Sequence, residues 1–168
     1  MTTFVNVLKQ ADIFYGLTPT QLEMIAALCE ERTYDSRGII CQENDRSDEL
    51  FVIAQGEVDI LVNPALVSDR PGDHQATVIA TLRRGQSFGE IALVDEGLRS
   101  ATARAAASPT HLLVLPRPKL LVLCEAYPQL GYRLMYNLAA DLALKLRNTD
   151  MMVREKLLYG KLDPRAKP

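Results

Sequence analysis

Phe88-Gly89-Glu90-Ile91-Ala92-Leu93-Val94-Asp95-Glu96-Gly97-Leu98-Arg99-Ser100-Ala101-Thr102 is the stretch on which the reading of this chain turns. Gly89 has no Cβ, so the backbone there can turn sharply and approach a ligand closely. Residues 90–94 suffice for one short helical turn, whose free N–H groups and positive dipole end suit an oxyanion. Arg99 adds a permanently charged planar fork of donors, better matched to a phosphate held away from water than the point charge of a lysine. Glu90 is complementary: an ionised carboxylate only accepts, so it takes the proton of a hydroxyl. Amides at Ser100 and Ala101, with the Ser100 hydroxyl, complete the cradle, and small residues there keep its wall close. Each piece alone also fits a turn with a surface ion pair, which contributes about 0–1 kcal/mol. The whole string is more specific, with Phe88 before the glycine, apolar Ile91, Leu93 and Val94, and an Arg-Ser-Ala-Thr tail entering a strand.

Outward from this segment, residues 33–115 consist of short β-favouring runs broken by glycines and prolines, the signature of an antiparallel barrel or double-sheet roll. Residues 50–54 and 58–62 flank Gln55-Gly56-Glu57 and predict a hairpin, with Val58, Ile60 and Val62 inward and Asp59 and Leu61 outward. Residues 63–75, containing Pro64, Ser68, Asp69, Pro71, Gly72 and Asp73, read as a loop. Strands follow at 77–82, 102–106 and 111–115, with a turn at Arg84-Gly85.

Upstream, Thr18 is a helix N-cap, Pro19 the first helical residue and Gln21 the partner in a capping box. Leu22, Ile25, Ala26 and Cys29 then form one apolar stripe. A short helix over 5–14 leads into the turn at Tyr15-Gly16. Downstream, Pro116 and Pro118 end the last strand and start a helix reaching Tyr127-Pro128. A long helix spans 129 to about 159, with Gly160 at its end. Its apolar residues cover more than one face, so one side packs on the roll. Ala139, Leu142, Leu146, Thr149 and Val153, at alternating spacings of 3 and 4, can meet a partner helix. A single broad core face is the alternative.

The chain has 168 residues, 48% of them hydrophobic, enough for one sizeable core and few for two. Nineteen basic and 21 acidic side chains give a net charge of −2, which advertises no nucleic-acid surface. Lys161, Arg165 and Lys167 read as a solvated tail. No run is long and apolar enough for a membrane span or a secretion signal, so a cytoplasmic location is expected. Cys29, Cys41 and Cys124 are odd in number and widely separated, which predicts reduced thiols.

Over nearly its whole length the sequence resembles the cyclic-nucleotide-binding domain family, which includes the bacterial catabolite activator. The likeness runs from Ala11-Asp12-Ile13-Phe14-Tyr15-Gly16-Leu17 to the final helix. Gly38, Gly56 and Gly85 fall at the family's turn glycines, and the quoted segment matches its phosphate-binding cassette. The fold implied is mainly β with flanking α: an antiparallel double-stranded β-helix, or jelly roll, with N-terminal helices and a long C-terminal helix. The expected organisation is a roll with its short helices over 1–128, a long dimerisation or lid helix over 129–160, and a tail over 161–168. The ligand implied is cAMP or cGMP, with Arg99 on the phosphate, Glu90 on the ribose 2′-hydroxyl, and Phe88, Gly89, Ile91, Ala92, Ser100 and Ala101 around them. The catabolite activator's long helix sets a Thr-Ser pair against the base, the serine coming from the other protomer. Here Leu144-Lys145-Leu146-Arg147-Asn148-Thr149-Asp150 resembles that stretch, and Asp150 replaces the serine. Its carboxylate suits either the adenine amino group or the two guanine N–H groups.

The family's transcription factors continue into a helix-turn-helix module, for which 161–168 is too short. Direct DNA binding is therefore not expected, and signalling would pass through an unidentified protein partner. The enzyme alternative is a metal oxygenase or isomerase on a similar roll. It needs clustered ligands, whereas only His74 and His111 are present. A haem sensor would have only His74 as axial ligand, and the cysteine spacing does not suit an iron-sulfur cluster. No cofactor is expected. The serious rival is a ligand-free roll that only dimerises or docks, with Arg99 paired internally, for example with Glu90.

Overall fold

The runs Leu50-Phe51-Val52-Ile53 and Leu112-Leu113-Val114-Leu115 account for the layering of the molecule. Alternate side chains of a strand point to opposite faces. Here both faces are buried: Leu50, Val52, Leu113 and Leu115 join one apolar cluster, and Phe51, Ile53, Leu112 and Val114 join another. Strands apolar on both faces need cover on both sides, so their sheet lies between a layer of helices and a second sheet. The computed structural model describes residues 2–63, 76–95 and 97–159. The predicted loop from 64 onward with His74, the cassette's Glu96, Gly160 and the tail lie outside the described residues.

The first sheet has the order β1 (Glu30–Tyr34), β8 (Thr110–Pro116), β3 (Glu49–Gln55), β6 (Ser87–Phe88), and the second β2 (Ile39–Cys41), β7 (Thr102–Ala105), β4 (Glu57–Val62), β5 (Thr77–Arg83). Every pairing is antiparallel. Helices α1 (Thr2–Leu8), α2 (Pro19–Ala26), α3 (Glu90–Asp95), α4 (Arg117–Ala126) and α5 (Pro128–Tyr159) complete the chain. This is the expected jelly roll with flanking helices. Among the described residues no helix is long and apolar enough to cross a membrane.

The predicted hairpin is corrected. β3 pairs with β6 and β8, whereas β4 pairs with β5 and β7, so the chain changes sheets at Gly56. Gly56 has φ +86°, and a Cβ there would lie 2.5 Å from Thr110 Oγ1 and 2.9 Å from Thr110 Cα. The turn is thus pressed against β8, which pairs with β3 along its full length from Glu49↔Pro116 to Gln55↔His111. The alternation in β4 is corrected as well. Its register against β5 shifts between Ile60 and Leu61, which turns Leu61 inward to 3% exposure and leaves Ile60 and Val62 half-buried.

The capping box of α2 forms as expected: Gln21 N donates to Thr18 Oγ1 at 3.3 Å, and Thr18 N to Gln21 Oε1 at 2.9 Å. Leu22, Ile25 and Ala26 are buried, while the helix stops before Cys29. All three cysteines are free thiols, and burial pushes the Cys29 pKa up to about 12. The first helix is shorter than predicted. Val7, Leu8, Ala11, Ile13 and Phe14 are all buried, a spacing that no single helical stripe satisfies. The chain instead breaks after Leu8 and re-forms as a 3-10 turn at Asp12–Phe14. Leu130, Leu134 and Leu138 bury the inner face of α5, and Asn137 Nδ2 pins it by donating to Ile13 O and Tyr15 O at 3.1 and 2.7 Å.

Candidate functional site

Gly89 lies between β6 and α3 with φ +84°, a region that L side chains rarely adopt. A Cβ there would also run into Arg99 Nη1 and stand 2.8 Å from Glu49 O. The glycine is therefore required by both its dihedral angle and its neighbours. Helix α3 starts at the next residue and is anchored by Leu93, 3% exposed among the helix-side apolar residues. Arg117 Nε donates to Leu93 O at 2.9 Å and fixes the far end.

Arg99 is 4% exposed. Its main chain is clamped on both sides, Arg99 N donating to Asp45 O at 2.9 Å and Asn44 N to Arg99 O at 2.8 Å. The guanidinium donates from Nη1 to Gly89 O (3.2 Å) and from Nη2 to Ser47 Oγ (2.6 Å) and Glu49 O (2.7 Å). Its Cζ lies 5.3 Å from the centre of the Phe51 ring, which stacks on Phe88 at 4.8 Å with 12° between planes. Among the described residues no carboxylate forms an ion pair with Arg99. A buried cation surrounded only by carbonyl dipoles, a hydroxyl and a ring face is electrostatically incomplete. Its Nε is buried and has no hydrogen-bond partner.

Glu90 is 5% exposed. Its Oε1 accepts from Lys145 Nζ of α5 at 2.9 Å, while Oε2 is buried without a partner. The pairing of Glu90 with Arg99 weighed from the sequence is thus not what forms. Lys145 also donates to Ser87 O at 3.3 Å and lies 2.8 Å from Asp141 Oδ2, one helical turn away. Burial works to lower the Lys145 pKa, but the charges of Glu90 and Asp141 and their hydrogen bonds outweigh it and leave it raised.

Phe88, Gly89, Glu90 and Arg99 are therefore brought together. Ile91 is 38% exposed, Ser100 is exposed, Ala101 is half-buried, and Ala92 lies in α3 with its side chain outside the described residues. Thr149 and Asp150 are exposed on α5, and the Thr149 hydroxyl donates to Lys145 O at 2.9 Å. The hydrogen bonds and ion pairs of Glu90 and Arg99 involve neither residue. Sequence reasoning missed Ser47, Phe51, Asp141 and Lys145. For the last two a signal existed: Asp141 and Lys145 continue the buried stripe of Leu130, Leu134 and Leu138, so a charged pair stands where α5 meets the roll.

Among the described residues the arrangement leaves three buried side-chain atoms without a hydrogen-bond partner: the acceptor Asp141 Oδ2 on α5 and, within one short segment, the donor Arg99 Nε and the acceptor Glu90 Oε2. The natural complement of the last two is a ligand that carries both an anionic oxygen and a hydroxyl.

The sequence profile described as the cyclic nucleotide-binding domain matches residues 31–127. The cyclic AMP receptor protein of Thermus thermophilus is 33% identical over 144 residues, 86% of this chain and 61% of the relative. Human cGMP-dependent protein kinase 2 is 29% identical over 112 residues, 67% of this chain and 14% of the kinase. The crystal structure of the Thermus thermophilus catabolite activator protein superposes with a TM-score of 0.72 at 32% identity, covering 86% of this chain and 62% of that one. The chain thus spans less than two thirds of these relatives' lengths.

Proposed function

Since the chain belongs to the cyclic nucleotide-binding domain family, we propose that it is a receptor for cAMP or cGMP, and not an enzyme. The observation that carries this reading is that two of the three unsatisfied buried atoms, Arg99 Nε and Glu90 Oε2, belong to the cassette. A cyclic phosphate supplies an anionic acceptor for the first, and a ribose 2′-hydroxyl supplies a donor for the second. Phe88, Gly89, Ile91, Ala92, Ser100 and Ala101 form the wall of the same site. Thr149 and Asp150 lie one turn beyond Lys145 and serve as base contacts, either when α5 moves or from a second copy. Signalling then consists of a ligand-linked change in α5 that exposes or hides a surface for a protein partner. That requires different ligand affinities in the two helix positions.

The internal contacts of Glu90 with Lys145, and of Arg99 with Gly89, Ser47 and Glu49, favour a second reading. In it the roll holds no nucleotide and serves only as an interaction module. Isothermal titration with cAMP, cGMP and 2′-deoxy-cAMP separates the two. Heat with a ribonucleotide, lost or weakened with the deoxy form, supports the receptor; no heat with any of them supports the module. Arg99→Ala is expected to cost about 2–5 kcal/mol of binding, the range for a buried charge pair that loses one partner. Unchanged affinity in that variant removes Arg99 from the site.

A further inference from the structure

The head of α5 and the chain entering α2 enclose a cleft of about 470 Å³, lined among others by Gly16, Thr18, Gln21, Gln129, Tyr132 and Arg133. None of these residues belongs to the cassette. Gly16 has φ +78°, and a Cβ there would lie 3.6 Å from Arg133 Cδ and Nε and 3.7 Å from Cζ, so the guanidinium rests on the bare main chain of the turn. That contact places the cation without engaging its hydrogens, and Arg133 makes no hydrogen bond or ion pair among the described residues. The capping box leaves donors free in the same place. It spends the acceptors Thr18 Oγ1 and Gln21 Oε1 on main-chain N–H groups, so the threonine O–H and the glutamine NH2 remain. No carboxylate lines the cleft. A concave surface rich in donors, with one uncompensated cation, is complementary to an oxyanion.

We propose that this cleft is a docking site for a protein partner: Arg133 takes one carboxylate of an acidic segment, and a neighbouring aromatic or aliphatic residue of that segment packs on Tyr132. Two observations favour a peptide over a free anion. Tyr15, Tyr127, Tyr132 and Tyr136 are all exposed in or beside the lining segments, and the rings of Tyr132 and Tyr136 are 6.3 Å apart. Tyrosine and arginine are the side chains that protein interfaces concentrate and that carry much of their energy, whereas an inorganic anion has no use for a ring face. Arg133 is also the one charged residue in the lining. A single guanidinium balances a single carboxylate in a bidentate pair, while a phosphate carries nearly two charges. The site lies outside the cassette and does not depend on nucleotide being bound there.

Random peptides displayed on phage are panned against the parent, with Arg133→Glu in solution as competitor, and the enriched sequences are synthesised for titration. The expected sequences carry Asp or Glu beside an aromatic or aliphatic residue. Arg133→Gln, Tyr132→Ala and exchange of the peptide's acid for its amide each weaken binding by about tenfold or more, as the loss of a charge-assisted hydrogen bond or an interface aromatic does. Combining Arg133→Gln with the amide peptide costs no more than either change alone, which identifies the two groups as partners. Both variants keep the parent's melting temperature and its response to cAMP and cGMP, because Arg133 and Tyr132 are exposed and outside the cassette. Selected peptides that lack an acid, or whose affinity is indifferent to Arg133→Gln, overturn the proposal, and so does a selection that enriches no sequence. A change of oligomeric mass in Arg133→Gln assigns the cleft to a second copy and overturns it as well. Stabilisation by inorganic phosphate that is lost in Arg133→Gln, with no acidic peptide selected, leaves a free-anion site in its place. Nucleotide titration is a separate measurement, so an absence of nucleotide binding overturns the receptor reading while the peptide result still decides this one.

Discussion

Gly89 is the residue at which backbone and site constrain each other. Its φ of +84° and the closeness of Arg99 and Glu49 O leave no room for a side chain. Gly89→Ala is expected to incur about 1–3 kcal/mol from the dihedral angle alone. Displacement of the guanidinium adds to that cost. The variant should unfold at a lower temperature than the parent and bind nucleotide more weakly, as thermal melts and titration calorimetry measure. An alanine variant with parental melting and affinity would mean that this turn relaxes freely. At this scale the sequence was informative about position. Gly89, Glu90 and Arg99 fall within one segment, so their proximity follows from a turn and a helical turn. The partners of Arg99 were not legible, because Ser47 sits 52 residues away in a polar stretch without periodicity.

Helix α5 shows what elements add. Its length and its buried stripe followed from the absence of proline and from the spacing of its leucines. Its end at the roll depends on one ammonium, and this gives a pH dependence of defined sign. The folded-state pKa of Lys145 is raised above its ordinary 10.5. Its contribution is therefore fully present below 10.5 and is lost as pH rises through the higher folded value. The gap in melting temperature between the parent and Lys145→Met should hold at neutral pH and close in the alkaline range above 10.5. A gap that stays constant through that range would separate the effect from the charge. The strands teach a different lesson. Residues 50–62 carry the marks of a hairpin, yet Gly56 sends the chain between two sheets, because apolar periodicity names a face and a turn but not the strand that will pair.

For the molecule as a whole, the open question is what covers the outer half of α5. Residues 146–155 are exposed, among them Leu146 at 63%, Met151 at 59% and Val153 at 49%. An isolated stretch of helix gains little stability in water, and most helical stability in proteins comes from packing an apolar face. The seam proposed from Ala139, Leu142, Leu146, Thr149 and Val153 would cover it with a second copy. Leu146→Glu is the clean probe, since Leu142 also packs against the core of its own chain. Light scattering should give a dimer for the parent and a monomer for the variant. A parent that is monomeric, or a variant of unchanged mass, removes the seam.

The sequence by itself determined the roll with flanking helices, the capped second helix, the glycine turn before α3, and the placing of Glu90 and Arg99 in one segment. These depend on residues a few positions apart, where dihedral preference, capping and periodicity act directly. Only the tertiary structure decided that β3 and β4 lie in different sheets, that Arg99 faces carbonyl groups in place of a carboxylate, and that Lys145 reaches Glu90 from 55 residues away. Such contacts arise when buried layers compete for partners, and the outcome depends on which polar atoms remain unsatisfied once the core has closed.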